Sequence, residues 1–315
     1  FTIFAAVFSF YMHLFDNHNH SQFSFDGGRT SIVASARAAV AAGLDGICFS
    51  DHCDHYVPPM KSSFAEVKPE YFDVTQQQEE ISRVEELLGN NIKILKGIEI
   101  GMYEECHGQI RKVLDENTFD QVIASVHYIE QTDPYYGGYY EDKDWKQAYG
   151  RYLEKIYSEM TWLKDFDIMG HYDYIARYAP YEQTSITYRD FSDIFDTMFR
   201  YLIEEGKALE LNTKGYVPYK GRTIEPDLEV LKRYREMGGE IISLGSDSHD
   251  AGRTGDRFTE AAAMLKSLGF RWTAHYEKRH SEYKRKHIAL ASKCDCSSHD
   301  ESTAYGKNTR LEGSV

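Results

Sequence analysis

The sequence predicts an α/β fold: a single domain built as a closed parallel barrel of seven β/α units. Three observations point there. Seven short apolar runs rich in Ile, Val and Leu recur along the chain, amphipathic stretches of helical length lie between them, and no Gly-rich nucleotide loop follows the first run. Continuous apolar runs suit strands buried on both faces of a parallel sheet. The missing loop weakens the alternative of an open doubly wound sheet. A closed barrel would place its active site at the C-terminal ends of the strands.

Taken in order, the expected strands are His13–Asn17, Gly46–Ser50, Lys93–Glu99, Gln121–Ser125, Asp167–Gly170, Ala208–Asn212 and Glu240–Gly245. The expected helices are Ser31–Ala42, Gln77–Leu88, Trp145–Lys164, Tyr188–Glu205, Pro226–Met237 and Phe258–Leu268. Gly43 and Gly238 stand where helices end in a left-handed cap, and Pro226 where a first-turn proline is expected. Phe1–Tyr11 is apolar but has no basic start and is too short to span a bilayer, so residues 1–11 read as an upstream extension. Residues 12–288 form the domain, and apolar periodicity is lost over 289–315, a loosely ordered tail.

Composition narrows the function. The net charge of −14 argues against nucleic acid as a partner, and nothing suggests a membrane. Five unevenly spaced cysteines, including Cys294 and Cys296, do not make a disulfide framework and fit a reducing, cytoplasmic setting.

The informative pattern is where His, Asp and Glu fall. The first strand ends in Asp16-Asn17-His18-Asn19-His20, whose two histidines point the same way on an extended backbone, and Asp26 follows in the next loop. Later strands end in Ser50-Asp51-His52, Gly97-Ile98-Glu99, Ser125-Val126-His127, Gly170-His171-Tyr172-Asp173 and Ser246-Asp247-Ser248-His249. Any one motif has an ordinary reading, such as a helix cap, a turn or a hydrogen-bonded core histidine. Six of seven strands carrying such a group at the same end favour ligation. Imidazole and carboxylate without clustered cysteine suit Zn, Mn or Fe, and so many donors fit two or three divalent ions. Such ions activate a water and clamp phosphoryl oxygens, so hydrolysis of a small-molecule phosphate monoester is the natural use.

These motifs, in this order over roughly residues 12–275, resemble the polymerase and histidinol phosphatase (PHP) family. The phrase Gly170-His171-Tyr172-Asp173-Tyr174-Ile175-Ala176-Arg177 is similar to its histidinol-phosphate phosphatase branch. The resemblance implies a distorted (β/α)7, TIM-like barrel with a trinuclear site. His18, His20, Glu99 and Asp247 would bind one metal, Glu99, His127 and His171 a second, and Asp26, His52 and His249 a third. Many members have His where Asp26 stands. The implied activity is hydrolysis of L-histidinol phosphate to L-histidinol and phosphate, a step of histidine biosynthesis. Arg177 is expected to bind phosphate and act catalytically, with help from Lys214, Arg222 or Arg253. Asp51 is expected either to relay a proton or to support its neighbour His52. The aromatic loop 132–142, with Tyr135 and Tyr136, would suit a bound imidazole and ammonium or else form a lid. The competing readings are a phosphoesterase for small nucleotides, a non-catalytic metal-binding barrel, and an amidohydrolase. The last is disfavoured because no lysine ends a strand as a bridging ligand.

Overall fold

The computed structural model describes residues 13–27, 30–57 and 70–281, so the expected upstream extension and the 289–315 tail lie outside the described residues. The chain order is β1 (Phe15–Asn19), α1 (Ile32–Ala41), β2 (Gly46–Phe49), β3 (His52–Asp54), α2 (Val74–Leu88), β4 (Lys93–Gly101), α3 (His107–Glu116) and β5 (Gln121–Ser125). It continues with α4 (Trp145–Leu163), β6 (Ile168–Met169), α5 (Ser192–Glu204), β7 (Ala208–Asn212), α6 (Leu228–Glu236), β8 (Ile242–Gly245), α7 (Phe258–Ser267) and a short hairpin, β9 (Tyr276–Glu277) and β10 (His280–Ser281).

The strands run parallel in the order β1-β2-β4-β5-β6-β7-β8, with β3 resuming the line of β2 alongside β4. The sheet nearly closes on itself. The Asp247 N–H donates to the His18 carbonyl at 2.7 Å, and the His20 N–H donates to the Ser248 carbonyl at 2.9 Å. This is the expected α/β barrel of seven strands in one domain. Its outer layer is packed by the apolar faces of the helices, with Ile32, Ile81, Ile110, Tyr152, Phe195, Phe199, Leu231 and Leu265 buried against the strands. Among the described residues no helix is long and apolar enough to cross a membrane.

Differences from expectation have identifiable causes. β1 begins and ends two residues later than its apolar content suggests, because Asp16 to Asn19 is a fully buried polar strand. α3 is missed by the sequence reading since only Ile110 on it is fully buried, too thin a stripe for periodicity to register. The expected 188–205 helix is broken at Phe191, whose φ of −135° separates a short turn from α5. Asp227, not Pro226, starts α6: its carboxylate caps the Glu229 N–H, so Pro226 lies before the cap. Gly43 and Gly238 adopt positive φ, 73° and 99°, directly after α1 and α6 as expected.

Candidate metal centre

The strand ends converge on Glu99. At the end of β1 the His18 and His20 rings lie side by side, their centroids 5.1 Å apart, and the parallel register sets His52 opposite Glu99. His18 Nε2 lies 3.2 Å, His20 Nε2 3.6 Å and His52 Nδ1 2.9 Å from Glu99 Oε2. His127 Nε2 and His171 Nε2 approach the other oxygen at 3.2 and 3.1 Å. His20 Nε2 also lies 3.2 Å from Asp247 Oδ1. Asp247 holds a positive φ of 47°, a strained conformation of the kind found at functional positions. Four overlapping triads each bring three ligand atoms together: His18, His20 and Asp247; His18, Glu99 and His171; His52, Glu99 and His127; and His20, His52 and His249. Asp26 stands at the edge of this array. It belongs to none of the triads, yet its Oδ2 is 2.8 Å from His249 Nε2 and 3.9 Å from His52 Nε2.

These residues fit metal ions on their hydrogen bonding alone. His18 Nε2, His20 Nε2, His52 Nδ1, His127 Nε2, His249 Nε2 and Glu99 Oε2 are buried and make no aligned hydrogen bond among the described residues. Each such group left without a partner costs roughly 1–3 kcal/mol, and six gathered in one place call for cations that accept their lone pairs. The opposite ring nitrogens are held. His18 Nδ1 meets Glu210 Oε1 at 2.7 Å, His127 Nδ1 meets Asp54 Oδ1 at 3.0 Å, and His20 Nδ1 meets Ser24 Oγ at 3.1 Å. Such contacts fix the tautomer and aim the free nitrogen at a metal.

Glu210, Asp54 and Ser24 were not singled out in the sequence. Glu210 had a readable signal, a carboxylate in the middle of the apolar strand Ala208–Asn212. It also accepts the His171 N–H at 2.7 Å, tying two ligand candidates together. Room for these carboxylates is made by glycine. A Cβ on Gly245 would sit 2.3 Å from Glu210 Oε1, and one on Gly101 would fall on the Asp54 carboxylate.

Charge and burial oppose each other across the cluster. Burial resists ionisation of Glu99, but His18, His127 and His52 hold it well below the usual carboxylate range. Burial likewise resists charging His18, yet Glu99, Glu210 and Asp247 raise it well above an ordinary histidine. His127 is raised against burial by Asp54 and Glu99. His20 goes the other way, lowered by burial and by the neighbouring His249 and His52.

The residues expected to meet substrate separate into two groups. Arg177 and Lys214 line both clefts that open beside the cluster. Arg177 is steadied by Nη1 bonds to the Lys214 and Val217 carbonyls, and Lys214 Nζ reaches Asp247 Oδ1 at 2.8 Å. Arg253 lines the outer cleft and pairs with Asp256 at 3.0 Å. Arg222 is a correction: its Nη1 clamps the Ala179 and Tyr181 carbonyls, and it lines neither cleft. Of the two roles expected for Asp51, its contacts are those of a support: it is fully buried and accepts from Ser21 N at 2.6 Å, Ser21 Oγ at 2.8 Å and Gln77 Nε2 at 2.8 Å, holding the loop after β1. In the aromatic loop Tyr139 and Tyr140 are buried anchors, while Tyr135 and Tyr136 face solvent and line neither cleft. Tyr174 and Tyr178, which the sequence reading passed over as substrate residues, line the inner cleft.

A nearly closed parallel barrel with clustered imidazoles and carboxylates at its C-terminal mouth defines a metal-dependent enzyme class, and the chain belongs to the PHP domain family, whose model matches residues 16–214. The particular relatives sharpen this. The chain is 34% identical to the histidinol-phosphatase of Lactococcus lactis subsp. lactis, over 87% of this chain and 98% of that one. It is 30% identical to a protein of Clostridium acetobutylicum described as a probable histidinol-phosphatase, over 86% of this chain and 99% of that one. The crystal structure of the Lactococcus lactis histidinol phosphate phosphatase, complexed with zinc, L-histidinol and phosphate, superposes with a TM-score of 0.77 at 30% identity, covering 86% of this chain and 100% of that chain.

Proposed function

We propose that this protein is a metal-dependent phosphatase that hydrolyses L-histidinol phosphate to L-histidinol and phosphate. The observation that carries the reading is the set of buried, unpartnered donor atoms gathered on Glu99, in a chain alignable over nearly the full length of a histidinol-phosphatase. Two or three divalent ions, of zinc, manganese or iron, fit the donor set. When bound, they supply an activated water and positive charge for the phosphoryl oxygens.

His18, His20 and Asp247 would hold one ion, His127 and His171 a second, with Glu99 shared between them. His52 and His249 would hold a third, with Asp26 at its edge. Glu210, Asp54 and Ser24 orient the rings. Arg177 and Lys214 stand where the two clefts meet and offer a guanidinium and an ammonium to phosphate oxygens. Arg253 reaches the same region from the outer cleft.

The reading is tested by phosphate release from L-histidinol phosphate by purified protein of known metal content, beside nucleotide and sugar phosphates and a His171→Ala control. Strong preference for L-histidinol phosphate, abolished in the control, supports it. Better turnover of nucleotides overturns the substrate while keeping the phosphoesterase. Metal-loaded protein that hydrolyses no phosphate ester would instead favour a binding barrel.

A further inference from the structure

We propose that Asp173, with Tyr174 and Tyr178, forms the subsite that receives the cationic organic part of the substrate, and so sets its specificity. This rests on the histidinol-phosphate reading and says where that reading's leaving group lies.

Two clefts flank the metal cluster and share Arg177, Lys214 and Asp247. The two cations at this junction fix the phosphate there, so the organic part must extend into one cleft or the other. The outer cleft is wider and offers Arg253, a further cation that repels an ammonium. Its carboxylates are already engaged: Asp26 lies against His249 at 2.8 Å, and Asp250 accepts the Gly252 N–H at 2.9 Å. The inner cleft is narrow and is lined by Asp173, by Tyr174 and Tyr178, and by Ile224.

Asp173 is the decisive group. Its carboxylate makes no ion pair and takes no hydrogen bond from another residue's side chain among the described residues, although Arg177 is close enough to influence it. A carboxylate on a narrow, largely desolvated wall is best satisfied by a charge-assisted bond from an ammonium or imidazolium N–H. Tyr174 lies over the His171 ring at 5.1 Å and meets Tyr178 edge-on at 5.1 Å, so the wall beside Asp173 is made of aromatic rings that attract a flat cation. An anionic or neutral leaving group would leave the half-buried Asp173 unpaired, which discriminates against nucleotides. Tyr135, expected to contact substrate, instead packs edge-on against Tyr178 at 5.2 Å and backs this wall.

The test compares metal-loaded wild type with Asp173→Asn and, as an outer-cleft control, Asp250→Asn. L-histidinol binding is read by calorimetry, and kcat/KM is read for L-histidinol phosphate and for p-nitrophenyl phosphate. Loss of one charge-assisted bond predicts that D173N binds L-histidinol about 10- to 100-fold more weakly. Its preference for L-histidinol phosphate over p-nitrophenyl phosphate should fall by a similar factor. The pocket assignment is overturned if D173N keeps the wild-type preference, if D250N loses it instead, or if D173N loses both substrates equally along with its metal. The last result would make Asp173 a support for His171. Wild type that binds L-histidinol but hydrolyses only other esters would overturn the substrate reading and this assignment together, so the two failures are told apart by the wild-type assay alone.

Discussion

At the N-terminal end of the barrel strands, carboxylates find protein partners; at the C-terminal end, one nitrogen of several buried imidazoles and one oxygen of Glu99 do not. Asp45, Asp120 and Asp167 each stand immediately before a strand. Asp45 accepts the Leu14 N–H at 2.8 Å, Asp120 the Lys96 N–H at 2.9 Å, and Asp167 the Val122 N–H at 2.8 Å. The β9–β10 hairpin seals this base, with Arg279 on Asp165 and Asp167 and the Tyr276 hydroxyl on the Asp167 carbonyl. At the mouth, six buried ligand atoms point at one another's space without an aligned partner. The same chemistry therefore serves stability at one end and is held in reserve for a ligand at the other, as expected of a barrel whose strand C-termini carry function.

The contrast breaks most completely at Glu99. Glu99→Gln should release metal and lower kcat/KM by about 10³-fold, while circular dichroism stays that of a folded barrel. Retention of both metal and rate would mean that the cluster does not share this carboxylate. The supporting layer should matter less. Glu210→Gln and Asp54→Asn keep the side-chain volume but weaken the grip on His18 and His127. Each should cost about 10- to 100-fold in metal affinity, read by competition with a chelator. Wild-type affinity in both would reduce these contacts to packing.

Acid should act on the mouth in a definite direction. His18 and His127 are raised above the ordinary histidine value by the carboxylates around them, against the effect of burial. A ring must be neutral to bind metal, and a raised pKa makes the proton a competitor at higher pH. Metal affinity should thus start to fall while the pH is still above the usual histidine range near 6.5. The decline should be about tenfold per pH unit for each displaced proton. A chelator titration between pH 8 and pH 6 that shows no change would contradict this.

How much of this was legible in the sequence follows from what each feature does physically. Ligands at strand ends repeat with the strand period, so His18, His20, His52, Glu99, His127, His171, Asp247 and His249 stood out before any coordinates. The polar β1 blurred its own boundaries because strand reading depends on apolar content. Asp54 and Ser24 left no distinct mark, since their roles come from folding across β3 and the loop after β1. Arg222 and the relay alternative for Asp51 were suggested by residue type alone. Their residue types suit phosphate or proton transfer, yet their partners, the Ala179 and Tyr181 carbonyls and the Ser21 and Gln77 groups, are visible only in three dimensions. Tyr174 and Tyr178 were lost among 24 tyrosines, because composition does not say which ring faces a cleft.

The smallest effect on function is expected at the base, and it sharpens the comparison from the other side. Arg279 Nε lies 2.5 Å from Asp167 Oδ2, with Asp167 largely buried and Arg279 about one quarter exposed. Burial already pushes Asp167 above the ordinary aspartate range, against the pull of Arg279. Arg279→Ala removes that pull and leaves a buried carboxylate with only the Val122 N–H. The expected loss is about 1–3 kcal/mol, or roughly 2–4 °C in Tm per kcal/mol for a domain of this size. The sign with pH follows from the raised pKa: a group that protonates more readily when folded destabilises the ionised native state, so the deficit is full at neutral pH and shrinks as the pH falls through the folded-state pKa. Kcat/KM and metal content should stay within about twofold of wild type, since surface or base changes remote from a site rarely couple to it. If R279A instead lost metal, the base and the mouth would be one cooperative unit, and the division of labour between the two ends of the barrel would not hold.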